Sequence, residues 1–272
     1  MSKERLFIDG HVHLYPEYDL PFALRNGFDN LSQHAAMSKT HEKTGSADPI
    51  YILLLTERYD CTVFEQLRES PRKFAGRGLA ISATSEPEAL RLTFNQAGTL
   101  YLIVGRQVVA RENLEILALA TGAYLDDRTY PVIDLVKKVN DANGIAVLNW
   151  APGKWFFSRG DVVKKALDQF SPAELLLGDT SLRTTLWRTP GLMKRAQAAG
   201  FRVIAGSDPL PFPGEEKFVG SYGFSIAGEF DAEKPVASLR SLLKNSSANI
   251  TFIGKRNGLF AFARREYKIM KP

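Results

Sequence analysis

The chain has 272 residues, 44% of them apolar and 24% charged, a composition ordinary for a globular protein and a length that suits one α/β barrel, typically about 250 residues. Its net charge of +5 comes from 35 basic and 30 acidic side chains spread along the sequence; so mild an excess fits a small anionic substrate and does not argue for nucleic acid. The single cysteine, Cys61, excludes an intrachain disulfide framework and fits a reducing cytosol, and no run approaches the ~20 apolar residues that span a bilayer, so a cytoplasmic protein is expected.

The N-terminus leads without an apolar signal segment into Phe7–Pro16, where an apolar run ends in two histidines one residue apart. In a strand, residues i and i+2 face the same way, so Asp9, His11 and His13 are expected on one face near the end of a first strand. Two imidazoles so placed can share one metal ion. A helix-rich segment, Tyr18–Lys39, follows, and Lys39–Asp48 has the composition of a surface loop. His34 and His41 lie in these two stretches and read as solvated or locally bonded.

Ile50–Thr56 is apolar enough for a strand buried on both faces, with a polar turn at Glu57–Asp60 and a helix to about Glu69. Cys61 reads as a packing residue, since no histidine lies near it in sequence. Strands are expected at Phe74–Ser82, Ala89–Phe94 and Leu100–Val104, with a hairpin turn at Asn95–Gly98. Gly105–Val109 leads to a strand over Leu114–Ala120. Its Glu115 faces either solvent or a site.

Three α/β units come next: a helix Tyr130–Asn143 with strand Ala146–Asn149, a helix Asp161–Phe170 with strand Glu174–Leu177, and a helix Gly191–Ala199 with strand Arg202–Ala205. A glycine-bearing loop occupies Pro213–Gly223. A helix Lys234–Leu243, a strand Ile250–Phe252 and a last helix Asn257–Met270 complete the chain. The last helix carries Arg264, Arg265, Lys268 and Lys271, read as a solvated face. With no repeat or linker, residues 1–272 read as one α/β domain, a single (β/α) barrel.

Sites in such barrels collect at the C-terminal ends of the strands, and Asp9, His11, His13, Glu57, Arg58, Gln107, Asn149, Asp179 and Asp208 all fall there. A His-x-His pair with a late aspartate makes a two-nitrogen, one-oxygen set suited to one Zn, Mn or Fe ion with open positions. Arg58, Arg106, Lys154 and Arg183 lie in or beside these ends and are candidates to hold an anionic substrate.

Ile8-Asp9-Gly10-His11-Val12-His13-Leu14, together with Gly206-Ser207-Asp208, resembles the metal-dependent hydrolases of the polymerase-and-histidinol-phosphatase (PHP) family and the related amidohydrolases. The resemblance implies a distorted seven-stranded barrel and a metal-dependent phosphoesterase. Carried across, the family's Gly-x-Glu falls on Gly105-Arg106-Gln107, its next histidine on Glu115, its His-Pro-Gly on Ala151-Pro152-Gly153, and its Ser-Asp-x-His on Ser207-Asp208-Pro209-Leu210. Four ligand positions thus hold Gln107, Glu115, Ala151 and Leu210. What remains implies one divalent ion on His11, His13 and Asp208, with Gln107 as a neutral oxygen donor and Asp208 or Glu115 as the base. The amidohydrolases need histidines on middle strands, and none occurs after residue 41. Two functions fit these residues: a phosphoesterase using one metal-activated water on a small anionic substrate, and a barrel without chemistry that binds a ligand or a protein partner.

Overall fold

The computed structural model of the protein describes residues 4–39, 48–75, 78–245, 247–258 and 265. In chain order the elements are β1 (Glu4–Val12), α1 (Leu20–Lys39), β2 (Ile50–Leu55), α2 (Val63–Glu69), α3 (Pro71–Phe74), β3 (Leu79–Ala83), β4 (Ala89–Phe94), β5 (Gly98–Ile103), β6 (Gly105–Val109) and β7 (Glu115–Leu119). They continue as α4 (Val132–Asp141), β8 (Ile145–Asn149), α5 (Ser158–Gln169), β9 (Leu176–Thr180), α6 (Gly191–Ala198), β10 (Val203–Gly206), β11 (Tyr222–Gly228), α7 (Pro235–Lys244) and β12 (Ile250–Gly254). His41 and, Arg265 apart, most of the expected last helix lie outside the described residues.

The expected single (β/α) barrel is not what forms. The strands make two mixed sheets, one of seven strands in the order β12-β11-β1-β2-β5-β4-β3 and one of five in the order β10-β9-β8-β7-β6. A (β/α) barrel needs parallel strands joined by crossover helices. Here β3, β4 and β5 are antiparallel neighbours, as are β6, β7 and β8, and β11 runs antiparallel to β1. Short turns supply the reversals, with Gln96 and Asn113 in the left-handed region at φ 52° and 60°.

The sheets change over at Val104, between β5 and β6. A Cβ on Gly105 would lie 2.5 Å from the Leu55 carbonyl oxygen and 2.9 Å from that of Ala118, so only glycine lets the chain pass between β2 and β7. The two sheets meet at short seams. On one side the Glu57 N–H donates to the Gly105 carbonyl, 3.0 Å, and the Gln107 N–H to that of Glu57, 3.0 Å. On the other the Asp208 N–H donates to the His11 carbonyl, 2.9 Å.

Three apolar clusters follow this plan. Leu6, Ile8, Ile52, Leu54, Leu117, Val147, Leu176 and Ile204 fill the space between the sheets, and Val236 and Leu239 of α7 join them. Phe7, Val12, Leu14, Leu24, Leu31 and Phe64 pack the outer face of the larger sheet against α1 and α2. The smaller sheet packs against α4, α5 and α6; Val132, Leu135, Val136 and Val139 form the buried stripe of α4. Each such side chain, fully buried, contributes about 1.5–3 kcal/mol of transfer free energy.

These clusters locate a break in the alternation of β1. Leu6 and Ile8 point between the sheets and Phe7 points outward, yet Val12 and Leu14 also point outward. The pairing explains the switch: Asp9 opposes Leu53 and Val12 opposes Leu55, so β1 carries one extra residue. This bulge reverses the parity of the strand and turns His11 and His13 inward.

Candidate metal centre

His11 and His13 leave the bulge with their rings converging. Their Nε2 atoms are 3.0 Å apart, and His11 Nε2 is also 3.0 Å from Gln107 Oε1, delivered by β6. Asp208 follows β10 and sends Oδ1 to within 3.6 Å of His11 Nε2 and 3.5 Å of His13 Nε2. Four side chains from β1, β6 and the end of β10 thus turn two nitrogens and two oxygens onto one point. His11, His13 and Asp208 form a set whose ligand atoms all lie within 4.8 Å of one another.

The set fits a metal. Ligand atoms about 2.0–2.1 Å from a tetrahedral ion are about 3.3 Å apart, and the separations here run from 3.0 to 3.6 Å. Burial, with the charge of His11 second, pushes His13 well below the ordinary histidine range, which leaves it a neutral lone-pair donor. When Nε2 of His11 faces an ion the proton of the neutral ring sits on Nδ1, which is buried and without a hydrogen-bond partner among the described residues.

Asp9 does not share the inward face with the histidines, because the bulge intervenes. It is fully buried and acts as a tie. Oδ1 accepts from Ser207 N–H at 2.9 Å and His11 N–H at 3.2 Å, and Oδ2 accepts from Ser207 Oγ at 2.5 Å and Gly220 N–H at 2.8 Å. Burial raises its carboxyl to about 6 against the opposing pull of these donors. It fixes the end of β10 against β1, and Asp208 follows one residue after Ser207. Asp208 sits in the left-handed region at φ 50°, a conformation costly for a non-glycine residue and held here from both sides. Its N–H donates to His11, and its carbonyl accepts from the Arg265 guanidinium at 3.2 Å. Burial raises the Asp208 carboxyl, and His11 opposes the rise.

Arg265 also departs from its expected place. It is 4% exposed and no part of a solvated face. It pairs with buried Glu215 at 2.5 Å, reaches Ser181 Oγ at 3.3 Å, and lies over the Phe218 ring. A period-3.6 pattern of charge cannot tell such a buried pair from a wet one.

A cavity of about 400 Å³ opens beside the centre, lined by His13, Gln107 and Asp208 together with Tyr15, Arg58, Glu115 and Arg128. Glu115 stands at its wall with both carboxylate oxygens engaged, Oε2 by Asn149 Nδ2 at 3.0 Å and Oε1 by Lys154 Nζ at 3.2 Å. Lys154 therefore reaches the site through Glu115. Arg58 lines the cavity and pairs with Asp60 at 3.0 Å. Arg106 turns elsewhere, over the Tyr124 ring at 4.8 Å and toward the Arg58 carbonyl at 3.4 Å.

Arg183 lies outside the lining. It forms a buried two-point pair with Asp179, 2.6 Å for each bond, donates to the Trp187 carbonyl, and is backed by Trp150. Tyr222 adds a hydrogen bond to Asp179 at 3.2 Å. Ala151 and Leu210 line the cavity as apolar groups. Tyr15 and Arg128 are lining residues that sequence reasoning passed over. Tyr15 carried a signal, two residues beyond His13, whereas Arg128 lies in a polar loop without one.

No protein-family model matches the sequence, and no curated protein matches it. Among solved structures the chain is similar to PsfC from Pseudomonas syringae PB-5123, with a TM-score of 0.54 at 13% identity over 99% of each chain. It is also similar, with a TM-score of 0.44 at 13% identity over 97% of this chain and 70% of the other, to a two-domain protein from Bacteroides vulgatus ATCC 8482 containing a predicted PHP-like metal-dependent phosphoesterase. The likeness to PsfC at that identity is one of fold alone.

Proposed function

We propose that this protein is a metal-dependent hydrolase, a phosphoesterase for a small anionic substrate, working through one divalent ion held by His11, His13 and Asp208 with Gln107 as a neutral fourth donor. The observation that carries the reading is the convergence of donor atoms from His11, His13, Gln107 and Asp208 at separations of 3.0–3.6 Å, with the last three residues lining a cavity. The resemblance of the Asp-Gly-His-Val-His stretch and the late Gly-Ser-Asp to PHP hydrolases adds the reaction class. A divalent ion in such a site supplies a Lewis acid for a phosphoryl oxygen and acidifies water.

The chain's own groups do the rest. Arg58 brings positive charge to the cavity for an anionic substrate. Glu115, held as an acceptor by Asn149 and Lys154, is the group we assign to proton transfer. Asp208 is the alternative, at the cost of its place beside the histidines.

A second reading has its own support. Ala151 and Leu210 put apolar side chains on the cavity wall where the PHP pattern has histidines, and a cavity so altered suits binding without turnover. The two separate in one experiment. The metal content of the purified protein is measured, and a panel of phosphomonoesters and diesters is assayed with and without chelator, for wild type and His11→Ala. One equivalent of metal and turnover that both chelation and H11A abolish support the hydrolase. No stoichiometric metal in the wild type overturns it, and metal without turnover leaves the binding reading.

A further inference from the structure

The cavity holds a polar pair that the metal-ligand set does not use. Tyr15 is 5% exposed, and its ring is fixed on two sides. It stacks on His13 with centroids 5.5 Å apart at 25°, and meets Tyr18 edge-on at 5.4 Å and 77°. Tyr18 is itself anchored, its hydroxyl donating to the Leu210 carbonyl at 2.6 Å and its N–H to the Tyr15 carbonyl at 3.0 Å. The Tyr15 ring therefore has little freedom, and the residue lines the cavity. There the Arg58 guanidinium lies against the ring, 6.0 Å from its centroid, and both residues line the cavity. Asp60 holds Arg58 from outside at 3.0 Å.

A guanidinium only donates and a phenol hydroxyl can donate as well, so toward an anion in the cavity both groups act as donors. Arg58 carries five N–H donors, and the contact with Asp60 uses only part of that fork. We infer that Tyr15 and Arg58 form an oxyanion clasp that binds the phosphate group of the substrate beside His13, with the Tyr15 hydroxyl as a directed donor. A tetrahedral phosphate has enough oxygens to meet the phenol, the guanidinium and the histidine–aspartate centre together, which a carboxylate with two oxygens does not. Tyr15 is then a substrate-binding residue and Asp60 a positioning residue that acts through Arg58. The inference rests on the hydrolase reading for the reaction that follows binding, but the binding itself is separable from it.

Calorimetric titration of inorganic phosphate tests the clasp, on metal-free and zinc-loaded wild type, Tyr15→Phe and Arg58→Gln, with zinc affinity and melting temperature measured for each. Y15F keeps the ring on His13 and removes only the hydroxyl. It should retain zinc affinity within about twofold and lose tenfold or more in phosphate affinity, as should R58Q, because hydrogen bonds to charged groups are among the stronger ones. Equal phosphate affinity in Y15F and wild type overturns the clasp, as does a wild type that takes no phosphate at millimolar concentration. Acetate bound as tightly as phosphate overturns the tetrahedral assignment. Phosphate binding that depends on Tyr15 in a protein that holds no metal upholds the clasp while the hydrolase reading falls.

Discussion

Gly206 is where the geometry of the centre is most exposed to a single change. It ends β10 against the backbone of His11, and a Cβ built on it would lie 2.2 Å from His11 N, 2.3 Å from His11 Cβ and 2.6 Å from His11 Cα, where ordinary contact begins at 3.4 Å. Its φ is not in the left-handed region, so Gly206→Ala acts by contact alone. Interiors pack too tightly to absorb such an overlap in place, and β10 must move from β1 by about 1 Å. Asp208 travels with β10, and its separations of 3.5 and 3.6 Å from the two histidines widen to about 4.6 Å, well beyond the ~3.3 Å edge of a tetrahedral ion. Overpacking of this kind costs about 1–3 kcal/mol, and a chain of this size loses about 2–4 °C in melting temperature per kcal/mol. Zinc affinity should fall on the order of 100-fold, at the upper end of what mispositioned ligands lose. Thermal melts and a competitive zinc titration measure both effects. Gly122→Ala is the control, with no atom within 4 Å of its Cβ, and should stay within about 0.5 kcal/mol of wild type. If G206A melts lower and binds zinc like the wild type, Asp208 does not belong to the centre; if it melts like the wild type, the packing of β10 on β1 is not as described.

Arg183→Met should lower stability by about 3–5 kcal/mol, because Asp179 is left buried without its partner; an unchanged melting temperature with a raised KM would restore Arg183 to substrate binding. Burial lifts the Cys61 thiol to about 11, with the Asp60 charge adding to the rise, so its thiolate fraction at pH 8 is about 100-fold below that of an ordinary thiol; iodoacetamide labelling followed by mass spectrometry should be slower by at least that order, and ready labelling in the folded state would contradict the burial. Burial also raises Glu57, whose carboxylate accepts the Phe64 N–H at 2.8 Å. A carboxyl held more tightly in the folded state contributes most below its unfolded value of about 4.3 and loses that contribution as pH rises through the folded one. Glu57→Gln keeps the acceptor and removes the penalty, so its melting temperature should exceed wild type at pH 7–8 and converge with it near pH 4, and a pH-independent difference would refute the cause.

The alternation of apolar strands and amphipathic helices was legible, because period 2 and period 3.6 are local properties. The α4 stripe of Val132, Leu135, Val136 and Val139 and the reversal at Asn95–Gly98 both appear where the pattern puts them. Strand direction is not local. Nothing in Gly105–Val109 or Glu115–Leu119 announces that they pair antiparallel, and with that reversal the single barrel gives way to two sheets. β11 is the strand the pattern does not announce: the glycine-bearing loop expected over Pro213–Gly223 covers its first two residues, and small Gly223, Ser225 and Ala227 alternate along it. His11, His13 and Asp208 were legible as a ligand set from residue type and spacing, and the structure brings them together. The reason they meet was not legible: strict alternation put Asp9 on their face, and one extra residue in β1 moved it off. Charge was the least readable quantity. Arg58, Arg106, Lys154 and Arg183 look alike in sequence, yet Arg58 lines the cavity, Lys154 braces Glu115, Arg106 turns to Tyr124 and Arg183 is consumed by Asp179.

The tie made by Asp9 also sets an order of events in the life of the chain. Its partner Ser207 is 198 residues away and Gly220 is 211 away, and the carbonyl of Asp208 waits for Arg265. Synthesis runs at about 5–20 residues per second, so His11 and His13 leave the ribosome about 10–40 s before the aspartate that completes them. Throughout that interval β1 has an unsatisfied edge on the side of β11 and two histidines able to take a metal in the wrong geometry. Contacts of such sequence separation also make for slow folding. Under the hydrolase reading, loading of the ion is therefore a step that waits for Asp208, and nascent chains held short of residue 208 should take up metal weakly and without the selectivity of the finished protein.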